Sequence, residues 1–174
     1  TITGRYELAL SGDSLANLDG AVALDVAGAD VEGARLFPSR ARLRFADKRL
    51  LVDTLRVEST AGTINARGAL GLAGGAATSD SLLFELALDS LGGVRRYLES
   101  SGAGNGEAAD SLAGSVRASG VARGRLDSLD LSGTFSGAKL QMGTTAGRRI
   151  SGRFQLRDVL GSPSGTLSMR ADSV

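Results

Sequence analysis

Apolar and polar residues alternate along nearly the whole chain, so it must fold as many strands that are each greasy on one face only. In the first run Ile2, Tyr6, Leu8 and Leu10 share one parity, while Thr3, Arg5, Glu7 and Ser11 share the other. After a turn at Gly12-Asp13-Ser14, Leu18, Val22, Leu24 and Val26 alternate with Asp19, Ala23 and Asp25. Ala41, Leu43 and Phe45 follow against Arg42 and Arg44, then Leu51, Leu55 and Val57 against Val52, Thr54, Arg56 and Glu58. A turn at Thr60-Ala61-Gly62 leads into Ile64, Ala66, Gly68, Leu70 and Leu72. Leu82, Phe84, Leu86 and Leu88 stand opposite Leu83, Glu85, Ala87 and Asp89.

The rhythm resumes with Leu112, Val116 and Ala118, then Leu129, Leu131 and Phe135. Leu140 and Met142 continue with shifted parity, which predicts a bulge or turn near Gly137-Ala138. Ile150, Phe154 and Leu156 form another run, and Leu167, Met169 and Ala171 the last. The expected fold is all-β: an elongated curved sheet, an open solenoid-like groove, of about ten to twelve strands.

One stretch breaks the pattern. Leu91, Val94 and Leu98 have helical spacing, and Ser100 to Asp110 is rich in Gly, Ser and Ala. We therefore divide the chain into a first sheet segment (1–90), a short helix and loop (91–111) and a second sheet segment (112–174), with one sheet running through both. A loose repeat links the halves. Gly12 to Gly20 and Gly124 to Gly133 share the plan of Gly, short turn, Leu-x-x-Gly and strand, as expected of growth along one axis.

Composition removes most chemistry. The chain has no Cys and no His, which excludes disulfides, thiolate metal sites and the usual nucleophile triads. Most of its acids lie on the polar parity or in turns, where they stay solvated and nothing separates the pKa values of a carboxylate pair. Gly102-Ala103-Gly104-Asn105-Gly106 lacks the Gly-Lys-Ser/Thr ending of a phosphate loop. We expect no enzyme, no cofactor and no metal. Lys and Arg number 20 against 19 acids, and Arg95-Arg96 and Arg148-Arg149 have no aromatic interleaving, so we expect no nucleic-acid partner. No apolar run approaches the roughly 20 residues of a membrane helix. The chain opens at Thr1 directly in alternation, and we read it as an excerpt of a longer protein.

What remains is the oily stripe. It is either the core of a sandwich or the lining of a groove. A sandwich core normally holds bulky aromatic anchors, yet the chain has no Trp, five Phe and two Tyr. An aliphatic trough suits acyl chains, since each methylene removed from water is worth about 0.8 kcal/mol. Strands spaced about 4.8 Å apart would give roughly 50 Å of trough.

Two passages carry a family resemblance. Leu50-Leu51-Val52-Asp53-Thr54-Leu55-Arg56-Val57-Glu58-Ser59, with Ala61 to Leu72 after it, is similar to the AsmA/TamB superfamily of Gram-negative envelope proteins. So is Leu112 to Gly120, followed by Gly124, Leu129 and Gly133. The superfamily comprises translocation and assembly modules and AsmA-like bridge-like lipid-transfer proteins. The resemblance implies a β-taco in the periplasm, anchored elsewhere by an inner-membrane helix, that carries phospholipid between the two membranes. It implies acyl chains as partners, and an outer-membrane assembly barrel protein as a further one. Its groove positions correspond here to Leu8, Leu24, Val26, Leu43, Leu55, Val57, Leu70, Phe84, Leu86, Leu131, Phe135, Phe154 and Leu167.

Three rivals stay open. A secreted β-helix adhesin or scaffold would seal the same residues in a dry interior. A chaperone-like module for outer-membrane protein assembly and secretion would add client strands at a sheet edge. A membrane β-barrel would need aromatic girdles, which are missing.

Overall fold

A computed structural model of the chain describes residues 2–14, 17–31, 34–72, 80–89, 91, 113–142, 145–159 and 161–172. Eleven strands form one sheet: β1 (Ile2–Ser11), β2 (Asp19–Val31), β3 (Ala34–Leu36), β4 (Ser39–Ala46), β5 (Arg49–Ser59), β6 (Gly62–Gly71), β7 (Ser81–Leu88), β8 (Ala113–Arg125), β9 (Ser128–Met142), β10 (Thr145–Arg157) and β11 (Ser164–Asp172). The all-β reading holds, and so does the strand number. The sheet is an antiparallel meander, open at both ends and not closed into a barrel. β3 and β4 together fill the place between β2 and β5, because the chain breaks step around Phe37-Pro38.

Short hairpins account for the meander. At β4–β5, Ala46 pairs with Arg49 across Asp47-Lys48, both with positive φ (52° and 59°), the geometry of a two-residue turn matched to strand twist. Ser59 pairs with Gly62 across Thr60-Ala61, and Arg125 with Ser128 across Leu126-Asp127.

β7 pairs with β6 on one side and β8 on the other, so one sheet crosses the break in the sequence pattern. The predicted helix and loop lie outside the described residues, apart from Leu91, which is buried. β7 is shorter than its neighbours. Beyond its end β6 meets β8 directly, with Gly71 beside Arg125 and Leu126 N–H donating to the Gly71 carbonyl at 2.9 Å. Leu72 N–H donates to the Lys48 carbonyl at 2.7 Å. Among the described residues the tightest burial is at Leu72, Leu70 and Ala122 near this pinch, followed by Val52 and, on β2, Ala29.

The register shifts at three places among the described residues: on β2, where Thr3 faces Gly28 but Gly4 faces Val26, Ala27 is the extra residue, and two further bulges reset the parity of β5 and β9. Across β5 the register passes from Val52 to Leu55, so Asp53 is the extra residue. This corrects the sequence reading of β5. Val52, not Leu51, shares a face with Leu55, while Leu51 lies opposite Arg44 and Ala69 on the polar side. The third shift lies on β9 at Lys139 (φ 52°), where the β8 register shifts between Ala113 and Ser115. It falls beside Gly137-Ala138, as the shifted parity predicted.

Candidate functional site

Strand registers carry the apolar parity across the whole sheet. One row runs Leu8, Val22, Leu43, Val52, Gly68, Leu82, Ala122, Leu131, Leu156 and Gly165. Its neighbour runs Tyr6, Leu24, Ala41, Leu55, Ala66, Phe84, Gly120, Gly133, Phe154 and Leu167. A third holds Val26 at one end and Val57, Ile64, Leu86, Ala118, Phe135, Gly152 and Met169 at the other. Leu70 pairs with Leu50 on the same side. All thirteen residues singled out in the sequence therefore share one face. Leu8, Leu24 and Leu167 are exposed, Leu70 is buried and the other nine are half-buried. Among the described residues every strand belongs to this one sheet, so no second sheet covers the face.

The face is smoothed by a device the sequence reading missed. Ser132-Gly133-Thr134-Phe135 and Ser151-Gly152-Arg153-Phe154 are two copies of Ser-Gly-x-Phe on adjacent antiparallel strands. Gly133 pairs with Phe154 and Gly152 with Phe135, so each ring lies over the other strand's glycine. A Cβ on Gly133 would stand 2.9 Å from Phe154 Cζ, and one on Gly152 would stand 2.6 Å from Phe135 Cε1. Phe84 covers Gly120 in the same way, at 3.0 Å. The Phe84 and Phe154 ring centroids come within 6.4 Å although their strands are three places apart, about 14 Å in a flat sheet. Rings laid along the sheet shield backbone without raising walls. The repeated Ser-Gly-x-Phe was the available signal.

The other face is polar, and several depressions lie on it among the described residues. One, of about 890 Å³, is lined by Arg56, Asn65, Arg67, Glu85, Ser119 and Thr134 among others. Smaller ones continue it toward β1, beside Arg5 and Arg40, and toward β11, beside Arg153 and Thr166.

Ion pairs concentrate on β2 to β5. Arg40 Nε donates to Asp25 Oδ1 at 2.9 Å, and Arg42 donates to the other oxygen of the same carboxylate. Arg44 grips Asp53 with two bonds, 2.8 and 2.7 Å, so the β5 bulge aims its extra residue at a partner. Hydrogen bonds from Arg42, then Arg40, hold the Asp25 carboxyl below its ordinary pKa, and Arg44 does the same for Asp53. A lowered folded-state pKa gives stability that is complete above the unfolded value, near 3.8, and is lost as pH falls through the folded value. With no His to titrate, the melting temperature is expected to be flat from pH 8 to about pH 5 and to fall below about pH 4. Thermal melts across this range check it. Asp25→Asn should flatten part of the acid limb, and an unchanged limb would count against the pair.

Among the described residues no cluster of acids could hold a metal ion, and no helix is long and apolar enough to cross a membrane. Among the described residues, the fold and the face define an open all-β protein of one sheet with one continuous apolar side. No family model, curated protein or solved structure matches the chain.

Proposed function

We propose that this chain is a non-catalytic module that shelters the acyl chains of phospholipids against its apolar sheet face, in the manner of the AsmA/TamB envelope proteins it resembles. On this reading it works in the periplasm of a Gram-negative bacterium, as part of an inner-membrane-anchored protein carrying lipid between the two membranes. The observation that supports it is the unbroken apolar face across the sheet, exposed at both rims and covered by no second sheet among the described residues. Apolar surface of that extent does not persist in water without a partner. An aliphatic lining with its aromatic rings laid flat offers no stereospecific contact, which suits a ligand that slides.

Photo-crosslinking in cells tests the proposal. A crosslinking residue at Leu24 or Leu86 faces the apolar side, and one at Asp25 or Glu85 faces the polar side. Phospholipid adducts confined to the Leu positions support the conduit. Adducts at all four positions, or at none, would remove its basis.

A further inference from the structure

The hollows of the polar face run together. The one of about 890 Å³ shares Asn65, Glu85, Ser119 and Thr134 with one of about 380 Å³. It shares Ser132 and Gly133 with the one beside Arg153. The three form a single trough that crosses the strands from β5 to β11. Arg67 on β6, Arg117 on β8 and Arg153 on β10 line it, and none has an ion-pair partner among the described residues.

The nearby acids do not balance these arginines. Asp53 and Glu85 are the acids that line the three hollows. The β5 bulge sets Asp53 and Thr54 across from Arg67, but Arg44 holds the Asp53 carboxylate with two bonds, 2.8 and 2.7 Å. Glu58, next along β5, is paired with Arg56. That leaves Glu85, diagonal to both Arg67 and Arg117 and in an ion pair with neither. The whole chain carries a formal net charge of only +1, so the surplus is local to this trough.

The lining has a period and a chemistry. The three arginines sit on every second strand, about 10 Å apart along the trough at ordinary strand spacing. Between them stand hydroxyls and amides: Asn65, Ser119, Ser132, Thr134 and Gln155. Leu83, 45% exposed, pairs with Val121 on the same side and adds a small aliphatic patch. Phe84, Phe135 and Phe154 belong to the opposite, apolar face, so their rings offer no platform for stacking nucleobases here. Side chains two residues apart on a strand stand about 7 Å apart, which leaves room for one extended chain between their rows.

We propose that the trough binds a linear acidic polysaccharide, laid across the strands with its carboxylates on Arg67, Arg117 and Arg153. Anions repeated along the glycan meet arginines repeated along the sheet, each guanidinium able to grip a carboxylate with two bonds. Sugar hydroxyls exchange hydrogen bonds with the Ser, Thr, Asn and Gln side chains, and the C–H faces of the rings pack on Leu83 and Val121. The site lies on the face opposite the lipid-sheltering one, and either idea can fail alone.

Fluorescence anisotropy with a labelled polyuronate oligosaccharide and the purified chain is the test. Binding should saturate at low salt and weaken as salt is added. Arg67→Gln, Arg117→Gln and Arg153→Gln should each weaken it about fivefold, the upper range for an exposed ion pair, and the triple variant should bind no better than the parent binds neutral dextran. Glu85→Gln removes the local repulsion and should tighten binding about threefold. All four side chains are exposed, so the variants should melt with the parent. No saturable binding at low salt overturns the proposal, as does a Glu85→Gln variant with the parent's affinity. Equal or tighter binding of a single-stranded oligonucleotide or of anionic phospholipid vesicles also overturns it, since the trough would then attract any polyanion.

Discussion

Gly133→Ala is expected to lower the free energy of unfolding by about 3 kcal/mol, at the top of the range for overpacking a close-fitted site. The new Cβ would stand 2.2 Å from the Ser119 carbonyl oxygen, 2.8 Å from Gly120 Cα and 2.9 Å from Phe154 Cζ. Only the last atom belongs to a side chain that can swing away. The first two are backbone of the neighbouring strand, so β8 and β9 must part or twist at the centre of the sheet. Gly133 has no left-handed φ, and the obstacle is therefore space. A double-mutant cycle in urea separates the two contributions. Phe154→Leu in the Gly133→Ala background should return the ring's share and leave the carbonyl clash in place. Gly28→Ala is the control: its nearest heavy atom is 3.6 Å away, an ordinary contact, and it should change little. A Gly133→Ala variant within about 0.5 kcal/mol of the parent would mean that the strands do not approach this closely.

Strand count, face assignment and hairpin positions were legible because alternation is a direct image of the pleat. Thr60-Ala61 and Lys139 lie where turn chemistry and shifted parity put them. Alternation fails where the backbone inserts a residue. Leu50-Leu51-Val52 reads equally well in either phase, and the phase was decided by Asp53 leaving the ladder to meet Arg44. The glycine positions were visible, but not their meaning. Ser-Gly-x-Phe becomes informative only once two antiparallel copies are set in register, each ring over the other's glycine. Which side of the sheet would hold the hollows was not legible at all. Curvature sums the twist and bulges of every strand pair, and no local pattern encodes that sum.

Ile64→Glu should weaken capture of a fluorescent phospholipid by about a hundredfold while leaving the fold nearly intact. Ile64 is 43% exposed, so a charge there can reach water in the empty protein and costs little stability. Its cross-strand neighbours Val57 and Leu86 are apolar, and an acyl chain lying along that row must cover the carboxylate. Losing contact with three or four methylenes, at about 0.8 kcal/mol each, removes about 3 kcal/mol of binding. The sign of the pH dependence tests the cause. Lipid over the carboxylate desolvates it and raises its pKa, so the neutral acid binds better and affinity should recover as pH falls toward 5. Asn65→Glu, one residue away on the polar face, should lose nothing and show no such recovery. Equal losses at both positions would mean that lipid does not distinguish the faces. The conduit reading would then have to give way to one in which the apolar side meets protein.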